Sequence, residues 1–242
     1  ALCYNPTNNK VYCANAGSDH VTVIDGADDD VTATVATGES PYAFCYNTTD
    51  NKVYAANHDD GGVTVIGGET NGVIATMVAG TRPIALCHNP SSNKVYSANH
   101  GSRSVTVFDG AGDSVLATVA AGHGPRALCH NSTSNKVYCA NDSSDNVTVI
   151  DGATDSVITT VTAGDDPYVL CYNSTNDKIY CANCCYSGTV TVIDGATNGV
   201  IASVTAGKYP HALCYNPTDN KVYCANLYSD GVTVIDGATN VV

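Results

Sequence analysis

Short apolar stretches alternate with polar, turn-forming segments along the whole chain, and this alternation predicts a protein built of β-strands. Four such stretches fill the first copy of the pattern: AlaLeuCysTyrAsn at 1–5, LysValTyrCysAlaAsn at 10–15, ValThrValIleAsp at 21–25 and ValThrAlaThrVal at 31–35. All are rich in Val, Ile, Thr and Tyr, which suit a pleated surface, and none is long enough for a typical helix. We therefore expect four strands in this segment.

The same unit recurs through the chain with a period of about 42 residues. The copies span 1–42, 43–84, 85–126, 127–168, 169–211 and 212–242, and the last one stops short. LysValTyrCysAlaAsn or a close variant fills the second stretch of every copy, at 10–15, 52–57, 94–99, 136–141, 178–183 and 221–226. This period predicts an all-β fold: one β-propeller domain over 1–242, with about six blades of four antiparallel strands and an incomplete last blade.

The turns between the stretches support this prediction independently. AsnProThrAsnAsn at 5–9 separates the first two stretches, and AspGlyAla at 25–27 separates the third and fourth. Pro presets one turn dihedral and Asn tolerates a left-handed backbone, so both segments suit tight turns between antiparallel neighbours. Sheets stacked against one another need no deep common core, which fits a chain with no Trp and two Phe.

Each copy contains one run of motifs in a fixed order. The run begins with LysValTyr, a small residue and AlaAsn, continues with a stretch like ValThrValIleAsp, and ends with Gly and Pro before the next copy. This run resembles the YVTN-type β-propeller repeat of archaeal and bacterial cell-surface and surface-layer proteins. The resemblance covers the whole chain and implies a structural role at the cell surface. Such proteins usually have seven blades, whereas six first strands are present here.

The charge balance narrows the range of partners. The chain carries 23 acidic and 10 basic residues, a net charge of −13. A surface this acidic repels nucleic acid and anionic membranes. No apolar run approaches the roughly 20 residues that span a bilayer, so we expect no membrane insertion. The chain begins at Ala1 rather than Met, which is typical of a processed or partial product, so the missing leader is uninformative. We expect an extracellular or cell-surface location.

Twelve cysteines are the main candidates for covalent chemistry. Six occupy one position in the first stretch of each copy: Cys3, Cys45, Cys87, Cys129, Cys171 and Cys214. Four lie in the second stretch, at Cys13, Cys139, Cys181 and Cys224, and two adjacent ones are Cys184 and Cys185. An even count in an extracellular chain favours disulfides. The candidates are the first-stretch and second-stretch cysteines of copies one, four, five and six: Cys3, Cys13, Cys129, Cys139, Cys171, Cys181, Cys214 and Cys224.

Three interpretations of these cysteines remain open. A five-residue hairpin loop would place Cys3 opposite Cys13, on one side of the sheet, where they could form a disulfide. A four-residue loop would point them to opposite sides, so that bridges would run between neighbouring blades. In the third interpretation each cysteine is a small buried hydrophobe. Copies two and three carry Ala55 and Ser97 at the second position, so no pairing within a hairpin is obligatory there. Cys181, Cys184 and Cys185 form the only dense cluster of cysteines, and we expect no metal site.

Comparison of the copies separates constant connections from variable ones. In a propeller, the fourth-to-first and second-to-third connections open on one face of the disc, and here these connections diverge between copies. The other two connections barely change. Diversified loops on a rigid scaffold are the usual place for binding residues, although drift at exposed positions gives the same pattern. The candidate binding residues are Tyr42, Arg82, His123, Arg126, Asp166, Tyr168, Tyr209 and His211.

Enzymatic motifs are missing from the sequence. There is no GlyXSerXGly nucleophile motif and no CysXXCysHis haem-attachment motif, and the loop histidines are scattered. His88 and His130 replace the Tyr that the other first stretches carry, and their parity places them on a packed sheet face. We expect no catalysis and no cofactor. The alternative function is an extracellular propeller that binds a small ligand or a metal, including a redox-linked one.

Three asparagines in the first hairpin turn are candidate glycosylation sites, since each begins an AsnX(Ser/Thr) sequence: Asn47, Asn131 and Asn173.

The end of the chain carries a further signal, because the last copy stops where its fourth strand should begin. An unpaired strand edge is a template for a strand from another chain. We therefore expect a secreted or cell-surface structural and adhesive module. It would assemble with itself into a filament or layer through open terminal edges, and bind other surface proteins or glycans through its variable loops.

Overall fold

The computed structural model describes every residue from Ala1 to Val242. It contains twenty-three β-strands and a single 3-10 turn at Asp142–Ser144. No helix in it has the length and apolarity needed to cross a bilayer. The chain divides into two compact units, Ala1–Ala120 and Ala121–Val242, which are described in turn.

The first unit contains three antiparallel sheets of four strands, each in the chain order first, second, third, fourth. Its strands are β1 (Leu2–Asn5), β2 (Lys10–Asn15), β3 (His20–Asp25), β4 (Val31–Ala36), β5 (Pro41–Asn47), β6 (Lys52–Asn57), β7 (Gly62–Gly67), β8 (Val73–Val78), β9 (Pro83–Asn89), β10 (Lys94–Asn99), β11 (Ser104–Asp109) and β12 (Ser114–Ala120). We call β1–β4 sheet 1, β5–β8 sheet 2 and β9–β12 sheet 3.

The second unit contains two four-stranded sheets and one of three strands, again in chain order. Its strands are β13 (Pro125–Asn131), β14 (Lys136–Asn141), β15 (Asn146–Asp151), β16 (Val157–Thr162), β17 (Pro167–Asn173), β18 (Lys178–Asn183), β19 (Thr189–Asp194), β20 (Val200–Thr205), β21 (Pro210–Asn216), β22 (Lys221–Asn226) and β23 (Gly231–Asp236). We call β13–β16 sheet 4, β17–β20 sheet 5 and β21–β23 sheet 6. Six antiparallel sheets with a three-stranded last one confirm the all-β, propeller-like prediction of about six blades.

Asparagine and aspartate make the tight turns that the sequence predicts. In sheet 1, Asn9 ends the first turn with φ 50° and Asp29 ends the third with φ 63°. Positive φ is tolerated best by Gly, Asn and Asp, which explains why these residue types recur there in every copy. In the last copy Asn240 has φ 60° and the amide of Asp236 donates to the carbonyl of Val241, so the turn that follows β23 has the same form.

Sheets within a unit pack face to face through one repeated contact. Tyr12, Val21 and Val23 of sheet 1 pack against Val53 and Ile66 of sheet 2. We call the face of a sheet that carries residues such as Tyr12, Val21 and Val23 its leading face. The face that carries residues such as Val53 and Ile66 is the trailing face. The same contact joins sheet 2 to sheet 3, sheet 4 to sheet 5 and sheet 5 to sheet 6. All the side chains named here are fully buried, and burying one such side chain stabilises the fold by about 1.5–3 kcal/mol.

A lysine and a tyrosine of the repeated LysValTyr run clamp each sheet to the next one in its unit. Lys136 Nζ donates to the carbonyls of Gly195 at 2.7 Å and Ala196 at 3.1 Å, and to Asn198 Oδ1 at 3.0 Å. The hydroxyl of Tyr138 also donates to Asn198 Oδ1, at 2.8 Å. The acceptors all lie in the β19–β20 turn of sheet 5. The same three-acceptor contact is made by Lys10, Lys52 and Lys178.

The register of the first hairpin decides between the cysteine interpretations. Asn5 pairs with Lys10, which leaves a four-residue loop, and Cys3 lies opposite Tyr12 while Cys13 lies opposite Leu2. Adjacent residues of a strand point to opposite sides, so Cys3 and Cys13 face away from each other. The disulfide within a hairpin is therefore wrong on geometric grounds. All twelve cysteines are free thiols in the structure, including the eight predicted candidates.

Candidate functional site

The connection that leads into each first strand has one conformation wherever it occurs. A residue with positive φ is followed by the proline that starts the strand, and the next residue is a β-bulge that the second strand leaves unpaired. In sheet 4, for example, Pro125 pairs with Asn141 and Ala127 with Ala140, so Arg126 is the extra residue. Bulges redirect a side chain out of the regular alternation. This local geometry therefore aims one side chain of each copy away from the packed faces.

Seven of the eight candidate binding residues occupy these two positions. The bulge residues among them are Tyr42, Arg126, Tyr168 and His211, and the residues of positive φ are Arg82, Asp166 and Tyr209. Bulky side chains rarely adopt positive φ, and such strained positions cluster at functional sites. The sequence selected them because they vary between copies, and the structure shows that they share a conformation.

Three bulge residues of the second unit form a continuous stack across its sheets. The guanidinium carbon of Arg126 lies 3.8 Å from the ring centroid of Tyr168, a cation–π contact. The ring of Tyr168 lies 4.4 Å from that of His211, with the two planes tilted by 32°. We call Arg126, Tyr168 and His211 the stack. His211 is exposed, whereas Arg126 and Tyr168 are half-buried.

Carboxylates surround the cationic end of this stack. Arg126 Nη1 lies 3.4 Å from Asp142 Oδ2, and the side chain of Asp142 is 11% exposed. The backbone amide of Asp166 donates to Asp145 Oδ1 at 2.9 Å. Burial raises the pKa of Asp166, and the nearby charges of Asp142 and Asp145 raise it further, while Arg126 opposes them. The site therefore places one guanidinium among three carboxylates beside two stacked rings.

A second aromatic cluster lies on the loops of sheets 5 and 6. The rings of Tyr209 and Tyr228 meet edge to face, with centroids 5.0 Å apart. Lys208 Nζ lies over the ring of Tyr186, 4.3 Å from its centroid, and donates a hydrogen bond to the hydroxyl of the same tyrosine at 2.8 Å. Tyr186 and Tyr228 are each 66% exposed, and Leu227 is 54% exposed. This cluster offers large, rigid side chains to solvent.

The first unit has its own group of candidate residues. The ring of Tyr42 lies 5.6 Å from that of His58, whose Nδ1 is 2.5 Å from Asp59 Oδ1. Ser40 Oγ donates to Asp59 Oδ2 at 2.6 Å. The hydrogen bond from Ser40, together with that from His58, lowers the pKa of Asp59. Arg82 lines an open cavity of about 380 Å³ with the same aspartate.

His123, the eighth candidate, is exposed and takes part in the second unit through its backbone. Its amide donates to Ser144 Oγ at 2.9 Å, and its carbonyl accepts the amide of Ser143 at 3.1 Å. These bonds tie the loop before β13 to the 3-10 turn that carries Asp142. His123 therefore holds the loop that presents Arg126, and its imidazole is not part of the stack.

The three predicted glycosylation asparagines lie where a glycan does not fit. Asn47, Asn131 and Asn173 are fully buried. Asn131 Nδ2, the atom that a glycan would replace, donates to Asp177 Oδ1 of the next sheet at 2.6 Å. The Nδ2 atoms of the other two make the same contact with Asn93 and Asn220. The folded structure therefore contradicts the prediction of glycans at these positions.

Burial favours the protonated form of several thiols. Burial raises the pKa of Cys3 and of Cys171 to about 11 and that of Cys181 to about 12. Burial also raises the pKa of Cys139 and that of Cys45. A thiolate is the species that reacts with oxidants and binds metals. No cluster of three or more His, Cys, Asp or Glu side chains is arranged to hold a metal ion.

Asp142 was missed by the sequence analysis although it is the closest ionic partner of Arg126. It follows the second strand of its copy, at the position where other copies carry His58, Cys184 and Leu227. The variation between copies at this position could have identified Asp142 as a candidate from the sequence. Lys208 and Tyr186 also lie in variable connections, but their mutual contact joins two different copies and only the tertiary structure reveals it.

The stacked antiparallel sheets, their LysValTyr clamps and their diversified loops define a β-propeller. Within that class, the chain belongs to the YNCE-like β-propeller family, whose model matches residues 2–196. No curated protein matches the chain in sequence.

A solved structure described as Kuenenia stuttgartiensis hydrazine synthase contains a similar fold. Its matching chain has a TM-score of 0.71 and 17% sequence identity, and the match covers 97% of this chain and 94% of that one. At this identity the likeness shows the fold alone.

Proposed function

We propose that this protein is a secreted or cell-surface β-propeller with a structural and adhesive role, which binds glycan chains through the variable loops of its second unit. The proposal assigns no catalytic step to the chain. The observation that carries it is the stack of Arg126, Tyr168 and His211, built at three equivalent bulges of an otherwise constant scaffold.

The chemistry of the stack suits a sugar. Flat rings such as those of Tyr168 and His211 offer apolar surface for the C–H face of a pyranose, at low cost in conformational entropy. Asp142, Asp166 and Arg126 beside them supply acceptors and donors for hydroxyl groups. A few convergent polar groups around an aromatic surface are typical of ligand sites. Neutral glycans fit best, since the net charge of −13 repels anionic ones.

A glycan array probed with the purified chain tests this proposal. The informative variant is Tyr168→Ile, because the equivalent bulge of sheet 3 already carries Ile84 and the scaffold therefore tolerates that side chain. We expect the wild-type signal on neutral oligosaccharides to fall at least about tenfold, as stacking on an aromatic ring is lost. Thr154→Ala, in the exposed β15–β16 turn, is the control and should leave the signal unchanged. An array without binding, or binding that Tyr168→Ile does not reduce, would refute the glycan-binding role.

The structural part of the proposal is self-assembly into a filament or layer. Its support is the free strand edges of the sheets, because the last strand of each sheet is paired on one side only within its sheet and β-strand edges recruit strands. Negative-stain electron microscopy of concentrated protein tests it directly. Ordered filaments or sheets are the expected outcome, and dispersed single particles at every concentration would contradict it.

A further inference from the structure

The loop that leads into sheet 3 differs from its equivalents by the loss of one carboxylate. In copies one and four, the residue of positive φ before the first-strand proline donates its backbone amide to an aspartate of the preceding sheet. Ser40 N lies 2.9 Å from Asp19 Oδ1, and Asp166 N lies 2.9 Å from Asp145 Oδ1. The repeat therefore contains a small carboxylate site, which these two copies fill with a side chain of their own.

Copy two keeps the backbone of this site and lacks the carboxylate. Gly61 occupies the position of Asp19 and Asp145, and all three residues have a left-handed backbone, with φ of 73°, 57° and 53°. Neither the backbone amide nor the guanidinium of Arg82 forms a hydrogen bond or an ion pair. Gly61 and Arg82 both line the open cavity of about 380 Å³. Two donors that suit a carboxylate are therefore left at one cavity.

Hydrogen bonds from sheet 3 hold this loop in place. The amide of Thr81 donates to Ser102 Oγ at 3.1 Å, and the carbonyl of Thr81 accepts the amide of Gly101 at 2.9 Å. The carbonyl of Arg82 accepts the amide of His100, also at 2.9 Å. The backbone amide of Arg82 is thus oriented before any ligand arrives, which lowers the entropic cost of binding.

Two carboxylates line the same cavity, those of Asp59 and Asp60. Asp60 is fixed by the backbone amides of Gly62 at 2.8 Å and Glu39 at 3.0 Å, whereas the side chain of Asp59 is 53% exposed. A simple anion bound to Arg82 would be repelled by both aspartates and by the net charge of −13. A ligand that carries a cation beside its carboxylate would be attracted by them instead.

We propose that this cavity binds a free α-amino acid. The ligand carboxylate accepts hydrogen bonds from the amide and guanidinium of Arg82, in the place that the side chains of Asp19 and Asp145 fill in their own copies. The ligand ammonium pairs with Asp59, and an apolar ligand side chain lies against Val78, which lines the cavity and is 80% exposed. Bonds between charged partners are the strong ones, and the cavity volume is typical of small-molecule sites. The site belongs to the first unit and is independent of the stack.

Two substitutions borrowed from other copies test the carboxylate position. Arg82→Ser removes the guanidinium and keeps the backbone, because Ser40 holds the equivalent position with φ 55° against 57° for Arg82. Gly61→Asp restores the internal carboxylate, which should compete with the ligand. Its added Cβ would lie 2.8 Å from the carbonyl oxygen of Gly80, so the loop must widen slightly to accept it. The repeat accommodates an aspartate at this position in copies one and four.

Isothermal titration calorimetry with L-valine measures binding, and two analogues separate the charges of the ligand. Isovalerate lacks the ammonium of valine, and isobutylamine lacks its carboxylate. We expect wild-type protein to bind L-valine and to bind each analogue at least about tenfold more weakly. Arg82→Ser should weaken L-valine binding at least about tenfold, and Gly61→Asp should abolish it. The control is Arg103→Ser, which removes the same charge at an exposed residue of φ 54° outside the cavity and should bind as wild type does.

The backbone amide resonance of Arg82 gives a second measurement at the site itself. It should move when L-valine is added to wild-type protein and stay unchanged in Gly61→Asp, where an aspartate already accepts from this amide. Wild-type protein that does not bind L-valine, or that binds isovalerate as tightly, would overturn the proposal. Binding that neither Arg82→Ser nor Gly61→Asp reduces would overturn it too. The glycan-binding role, which uses the second unit, would stand in each case.

Discussion

Single residues in this chain acquire their roles from backbone conformation more than from their neighbours in sequence. Tyr42, Arg126, Tyr168 and His211 are of three chemical types, yet all are bulge residues that follow a proline. Their variation between copies was visible in the sequence. The bulge was not, because a one-residue shift in pairing leaves no mark on composition.

His88 shows how one substitution between copies leaves a polar atom without a partner. The hydroxyls of its equivalents Tyr46 and Tyr172 form hydrogen bonds with the preceding sheet, to Thr7 and Thr133, each at 2.6 Å. His88 is half-buried, and the inaccessible Nε2 atom of its shorter side chain has no hydrogen-bond partner. The prediction from sequence that it is a packed residue and not a ligand is consistent with this placement.

We predict that His88→Tyr stabilises the protein by about 1 kcal/mol, because the phenol would reach Thr49 as Tyr46 reaches Thr7. Burial lowers the pKa of His88, so the unfolded state binds its proton more readily. Wild-type stability attributable to His88 is therefore complete above about pH 6.5 and is lost as the pH falls below that value. The variant should lack this loss. Urea unfolding at pH 7 and pH 5 measures both effects.

The exposed His123 provides the control for that experiment, since His123→Tyr changes the same residue type outside the packed faces. It should alter neither the stability at pH 7 nor its pH dependence. An unchanged or lower stability of His88→Tyr would show that the phenol does not reach Thr49.

At the scale of strands and sheets, the sequence predicts the local elements well because their causes are local. The first copy was expected to have strands at 1–5, 10–15, 21–25 and 31–35, and the structure has them within a residue. The cross-sheet clamp was invisible because its two halves lie far apart in the chain: Lys10 and Gly68 are 58 residues apart. The constancy of LysValTyr and of the β3–β4 turn is explained by this contact.

Breaking one clamp should lower stability in proportion to its three charged hydrogen bonds. We predict that Lys136→Met, which keeps the length of the side chain, costs about 3 kcal/mol, because the Gly195 and Ala196 carbonyls and Asn198 Oδ1 all lose their charged donor. Urea denaturation measures this as a lower midpoint with an unchanged slope. The matched control is Lys208→Met, whose ammonium is exposed, and it should stay within about 0.5 kcal/mol of wild type. Equal effects of the two variants would rule out a structural role for the clamp.

At the scale of the whole molecule, twelve cysteines are distributed over all six sheets. The reactivity of their thiols therefore reports both on packing and on oxidation state. The sequence favoured disulfides on the basis of number and expected location. The structure places Cys45, Cys181 and Cys224 in the apolar clusters between sheets, and Cys139 is fully buried as well. Their role is the packing role that the sequence analysis kept open.

We predict that these four cysteines resist maleimide in the native protein and react once it is unfolded, because burial removes access and raises their pKa values. The exposed Cys214 should react first. Peptide mapping by mass spectrometry identifies the labelled residues. Thiols that stay unlabelled in the unfolded, unreduced protein would instead demonstrate disulfides.

The sequence by itself determined the repeat, the strands, the turns and the positions free to vary, because each depends on residues close together in the chain. Tertiary structure alone decided that Asn47, Asn131 and Asn173 are buried, that Cys3 and Cys13 face apart, and that Arg126, Tyr168 and His211 form one stack. These outcomes depend on register and on contacts between sheets, which join residues a full repeat or more apart.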